Sequence, residues 1–144
     1  MATVAPNLTL GSISEGIALA LDAIVAATTR VYNSITTSSP TFTAAQFVNG
    51  IISLSGQTAA QSPVPPTASA IVAAIPNCQI GSAFEVIIIN AHTSSGAATL
   101  QVASGVTLVG TVAIPVSKTQ VFRGIVTSVN TPAVVMYGLL TAPV

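Results

Sequence analysis

The sequence predicts a mainly β protein: an antiparallel β-sandwich or barrel-like domain with one or two short helices, preceded by an N-terminal arm and helix. Three observations lead there. From Gln79 on, short apolar runs alternate with turn signals at the spacing of a sandwich or barrel. Ahead of Gln79, short helices are marked by capping residues rather than by long apolar periodicity. Finally, only six side chains of 144 are ionised: Glu15, Asp22, Arg30, Glu85, Lys118 and Arg123. An ordinary soluble domain carries charge on about a quarter of its residues. A surface this poor in charge is expected to lie against copies of the chain or against a large partner.

Residues 1–11 read as an extended arm, because Asn7, Thr9 and Gly11 break its short apolar runs. Ser12 and Glu15 form a capping box, each satisfying a free backbone N–H. Ile17, Leu21, Ile24, Thr28, Val31 and Ile35 follow at helical spacing, so a helix is expected from about Ile13 toward Thr29. Arg30 at its C-terminal end has the sign the helix dipole favours. The segment Thr28 to Tyr32 has equal claim to be strand. Thr36 to Pro40 is a linker by composition, which divides the chain into an arm and helix over 1–40 and a β-rich domain over 41–144.

Beyond the linker, Thr43 and Gln46 make a second capping box, opening a turn or two of helix that Gly50 ends. Ile51 to Ser55 reads as a short strand, and Gln57 to Pro66, with three prolines, as a loop. Thr67 caps a helix over Ala68 to Ile75, which Pro76 stops. Phe84 to Ile89 is apolar on both faces apart from Glu85, the pattern of a central or covered strand. Asn90 to Gly96 is a polar turn. Ala98 to Val102 alternates like a half-buried strand. Val106 to Val109, Thr111 to Ile114, Gln120 to Val129 and Ala133 to Leu140 supply the remaining strands, separated by turns at Gly110, Pro115 to Ser117 and Asn130-Thr131-Pro132. Several of these strands lack a polar face, so a second buried surface is expected beyond the intrachain core.

Composition also excludes function classes. Three cations and a formal net charge of zero give no basic stripe for a nucleic-acid backbone, and the chain has no Trp for bases to stack on. A membrane-spanning helix needs about 20 mostly apolar residues. Ile17 to Ala27 is too short and contains Asp22, and Phe84 to Ile89 is strand-length. No early cation precedes an apolar stretch in the manner of a secretory signal. Two Tyr and four Phe are too few for the aromatic girdles of a membrane barrel.

Parts for catalysis are equally scarce, and the sequence reads as a non-enzyme without catalytic residues, cofactor or metal. His92 is the one histidine and sits in a Ser/Thr-rich turn, so it reads as an exposed turn residue rather than a general base. Cys78 reads as a small buried or half-buried thiol, with no cation near it in sequence. One Cys and one His do not make a zinc site. Gly105 to Gly110 is a strand flanked by turns, with no Lys following to reach a phosphate. Glu85, placed in an apolar strand, needs a local partner, and Arg123 on a neighbouring strand is the candidate. Glu85 and Arg123 are therefore structural site residues.

Several blocks of the chain together resemble a module found in virion structural proteins of tailed bacteriophages. They are Thr43 to Ile52 (Thr-Ala-Ala-Gln-Phe-Val-Asn-Gly-Ile-Ile), Pro66 to Asn77, Gln79 to Asn90, Gly105 to Thr111, the Phe122-Arg123 pair and Val129 to Val134. Their order and spacing carry the likeness, which covers roughly residues 41–140. The module is similar to those of capsid decoration (cement) proteins and of head or tail fibres. The resemblance implies a β-rich homotrimer without catalysis, located on the outer surface of the capsid and bridging major capsid subunits. The alternative within the same resemblance is a head or tail fibre module binding the host cell surface. The absence of Trp and of any internal repeat argues against a sugar-binding fibre. A small hydrolase, the reading from another class, needs His92 beside an acid and a nucleophile.

Overall fold

The structure is a computed structural model that describes residues 29–56, 58–93 and 96–139. The expected arm, and the helix from Ile13, lie outside the described residues. The elements in chain order are β1 (Tyr32–Ile35), α1 (Ala44–Phe47), β2 (Ile51–Leu54), α2 (Ala68–Ala74), β3 (Ala83–Asn90), β4 (Ala98–Thr99), β5 (Val106–Gly110), β6 (Ala113–Ile114), β7 (Lys118–Ser128) and β8 (Ala133–Leu139).

Six strands form one sheet in the order β1-β2-β3-β7-β8-β5, while β4 and β6 pair separately. The fold is mainly β, as the sequence predicts, but the sheet is mixed rather than antiparallel. β1 runs parallel to β2 and β2 to β3, β3-β7-β8 is antiparallel, and β5 is parallel to β8. Hydrophobic periodicity carries no strand direction. Direction follows from the connections, and parallel neighbours need a long crossover. Residues 36–50 and 55–82 are those crossovers, each carrying one of the short helices.

Both helix starts follow the expected chemistry. The Gln46 backbone N–H donates to Thr43 Oγ1 at 3.3 Å, and the Thr43 N–H donates to Gln46 Oε1 at 3.0 Å. The Ala70 N–H donates to Thr67 Oγ1 at 3.3 Å. After α1 the chain turns at Asn49, in the left-handed region at φ 56°, a conformation Asn tolerates well.

One face of the large sheet makes the core. Ile52, Leu54, Phe84, Val86, Ile88, Phe122, Val126, Val134 and Met136 point into it and are buried, with Phe47 of α1 and Ile71 of α2 packed over them. Phe47 stacks on Phe42 with ring centroids 5.7 Å apart and lies tilted against Phe84 at 6.3 Å. The Phe84 ring spreads over Gly124, where an added Cβ would sit 2.2 Å from Cζ. Glycine in mid-strand there reflects close approach, not a turn.

Two expectations about this region are corrected. The strand Tyr32–Ile35 lies before the expected linker yet pairs residue for residue with β2, so the β domain takes in residues assigned to the N-terminal unit. Ala98–Thr99 is the only ladder in the expected strand over Ala98 to Val102. Beyond it the backbone bonds to loops, the Leu100 N–H to the Val112 carbonyl at 3.0 Å and the Gln101 N–H to the Pro63 carbonyl at 2.9 Å.

Candidate functional site

Side chains alternate across a strand, so the residues between the core positions face the other way. On that second face lie Ile51 of β2, Ile87 and Ile89 of β3, Val121 and Ile125 of β7, and Val135 of β8, all half-buried. Tyr137, Leu139 and Val109 extend the apolar surface toward β8 and β5, with 39%, 39% and 42% of their area exposed. The registers place Ile51 beside Ile87, Ile87 beside Val121 and Val121 beside Leu139, so the apolar residues form a continuous row. The described helices lie against the opposite face with Phe47 and Ile71, and Asn90 on that opposite side bonds the β6 carbonyl of Ile114. Among the described residues, no helix covers the second face.

The charge on this face is concentrated in one cluster. Glu85 and Arg123 are register partners on β3 and β7. Arg123 Nε donates to Glu85 Oε1 at 3.2 Å, and Arg123 Nη2 to the same oxygen at 2.5 Å. Arg30 Nη2 donates to the other carboxylate oxygen, Oε2, at 2.8 Å. The two guanidiniums, Arg123 first and Arg30 second, hold the Glu85 carboxyl below its usual pKa. The Glu85 backbone is fixed as well, its N–H donating to Asn49 Oδ1 at 3.2 Å. Glu85 and Arg123 are thus brought together as the sequence suggested. Arg30, read from the sequence only for its place at a helix end, also reaches across the start of β2 to Glu85 near the start of β3. The cluster is open to water, so it orients these strands more than it stabilises them.

His92 is also corrected. It is 2% exposed, not a surface turn residue. Asn90 folds the turn inward: its Oδ1 accepts the His92 N–H at 3.3 Å, while its Nδ2 donates to the carbonyls of Gly96 at 3.0 Å and Ile114 at 2.9 Å. Ser117 Oγ completes the fold by donating to the His92 carbonyl at 2.9 Å. Cys78 is half-buried. Asp22 and Glu15 lie outside the described residues. Among the described residues, no group of three His, Cys, Asp or Glu side chains is placed to hold a metal, and no helix is long and apolar enough to cross a membrane.

Sequence reasoning missed two features. One is Gln61, buried in what reads as a proline-rich loop, whose Nε2 donates to the Ala59 carbonyl at 3.2 Å and whose Oε1 accepts the Ser39 N–H. The other is which residues make up the second apolar face: strands without a polar face predict such a surface, but its continuous row Ile51, Ile87, Val121 and Leu139 depends on strand order, which the sequence does not carry.

No family model matches this chain, and no curated protein matches it.

Proposed function

We propose that this chain is a virion structural protein: a capsid decoration (cement) protein that stabilises a phage head as a homotrimer bridging major capsid subunits on the outer surface. The observation that carries this reading is the exposed apolar face of the six-stranded sheet, on a chain with six ionised side chains. Exposed apolar area of that kind marks a contact surface. The resemblance of the blocks over residues 41–140 to phage virion modules supports the same reading.

The mechanism is mechanical. Copies meet on the β8 and β5 side of the exposed face, where Tyr137, Leu139 and Val109 are most accessible. Burial contributes about 25 cal/mol per Å2 of apolar area. A contact of ordinary size, about 1,600 Å2, repeated over a shell, holds it without any single strong bond. The N-terminal arm and helix expected over residues 1–40, or the exposed loops, bridge neighbouring capsid subunits. Attachment through apolar area and backbone hydrogen bonds is only weakly sensitive to salt.

The test is the copy number of the chain in purified virions, measured by quantitative mass spectrometry against the major capsid protein. Hundreds of copies per particle are expected. A handful would point to a fibre or tail part, and none would refute the virion role.

A further inference from the structure

The charge cluster on the exposed face does not balance. Arg30 and Arg123 bring two positive charges and Glu85 one negative, so one positive charge is left over. Glu85 also occupies only part of each guanidinium. Arg30 gives it one N–H of Nη2, and Arg123 gives it Nε and Nη2. The Nε and Nη1 groups of Arg30 and the Nη1 of Arg123 bond to no other described residue. Nor does the Nδ2 of Asn49, whose Oδ1 is held by the Glu85 N–H. These four side chains, with Ala83 and Phe84, line an open hollow of about 330 Å3.

We propose that this hollow receives an Asp or Glu side chain of a partner protein, set in an otherwise apolar surface. Three observations favour that occupant. The first is charge. One carboxylate neutralises the surplus, and the N–H groups left on the two planar guanidiniums suit its two oxygens. The second is preorganisation. Glu85 holds both guanidiniums in place before a ligand arrives, and Asn49 pins the Glu85 backbone, so little side-chain freedom is lost on binding. The third is the surroundings. Ile87 and Val121 flank the cluster on one side and Ile125 on the other, all half-buried, so the carboxylate would arrive beside apolar contacts. The hollow is open, with 54% of the Arg123 side chain exposed. A small-molecule site encloses most of its ligand. A protein side chain brings its own surface with it and closes an open hollow from above.

Such a contact sets position more than affinity: an apolar row alone tolerates sliding, and a single charge pair fixes the register. The described residues of a second copy have no carboxylate to offer, since their one acidic side chain is the paired Glu85. Glu15 and Asp22, outside the described residues, enter the test below. The proposal holds whether or not the partner is a capsid subunit, so it does not rest on the functional reading.

The experiment is NMR of the full chain, whose two arginines give two Nε–H signals. It is titrated with the blocked peptide acetyl-Ala-Leu-Glu-Leu-Ala-amide and with the same peptide carrying Gln for Glu. The Glu peptide is expected to shift both arginine signals and the Asn49 side-chain amide, and to bind about fivefold more tightly than the Gln peptide, the upper range for an exposed ion pair. Arg30→Gln removes the surplus charge and leaves the Glu85–Arg123 pair, so it should abolish that preference with the β-sheet circular dichroism retained. Equal binding of the two peptides by the intact protein, or a preference that survives Arg30→Gln, would overturn the proposal. Acetate moving the same signals at the concentrations the Glu peptide requires would overturn it in favour of a free small acid. Signals that answer the peptide only after Glu15→Gln with Asp22→Asn would overturn it in favour of the chain's own carboxylate. No response in either protein would overturn it outright.

Discussion

The two halves of the large sheet are built on different terms. In the parallel half, β1–β2–β3, the strands alternate with crossovers, and each exposed-side position of β3 except Ala83 and Glu85 is isoleucine. In the antiparallel half, β7 and β8 follow directly in sequence, and β7 puts Thr119, Arg123 and Thr127 among Val121 and Ile125 on the same face. An antiparallel sheet can leave one face to water, whereas a parallel one is normally covered on both. One continuous surface therefore joins a parallel half whose second face is half-buried isoleucine to an antiparallel half whose Tyr137 and Leu139 are the more exposed and can serve as a contact. Glu85 stands at the seam between them, with Arg30 from the parallel side and Arg123 from the antiparallel side.

The largest test of this comparison concerns what the halves share. Phe84→Ala empties the core position between Phe47 and Gly124 and should cost about 3–5 kcal/mol in urea denaturation; a loss below about 1 kcal/mol would mean the aromatic cluster does not tie the halves together. Next in size, Ile87→Asp should cost at least about 2 kcal/mol, because it places a charge in the half-buried apolar row between Ile51 and Val121, whereas Thr127→Asp on the exposed end of β7 should stay within about 0.5 kcal/mol. Equal effects at the two positions would erase the distinction. Gly124→Ala pushes a methyl into the Phe84 ring and should cost about 1–3 kcal/mol. Full stability in that variant would show that the ring has room to move.

The smallest effect is at the seam. The carboxyl of Glu85 is held below its ordinary value of 4.5. Its folded-state pKa is depressed, so its stabilising contribution is present above the unfolded value and is lost as pH falls through the folded one. Glu85→Gln should therefore lower the melting temperature slightly at neutral pH, and the difference should shrink as the pH falls below 4.5 and vanish once the folded carboxyl is protonated. A difference that persists unchanged in acid would mean that packing, not charge, links the strands.

The antiparallel half was the more legible one. Gln120 to Val129, the Asn130-Thr131-Pro132 turn and Ala133 to Leu140 mark β7, its turn and β8 to within two residues, because a local hairpin writes its own boundaries. The Thr43–Gln46 capping box and the Thr67 cap placed α1 and α2 equally well. The parallel half was obscured by two things. β1 is four residues, Tyr-Asn-Ser-Ile, with little strand character, and Val31 and Ile35 continue the helical spacing of the preceding segment. Its partner in the sheet is fixed by long-range packing that a local window does not contain. The Glu85–Arg123 pair was legible because a lone carboxylate in an apolar strand demands a cation. Arg30 was not, since its role depends on where β1 joins the sheet. His92 misled because turn composition suggests exposure, while Asn90 and Ser117 draw that turn inward.

The account stands most directly on whether the uncovered antiparallel side joins copies of the chain. Multi-angle light scattering of the intact protein and of Tyr137→Asp measures that. The account predicts three times the 14.3 kDa chain mass for the intact protein and a smaller species for the variant. A single-chain mass for the intact protein across the concentration range would contradict it.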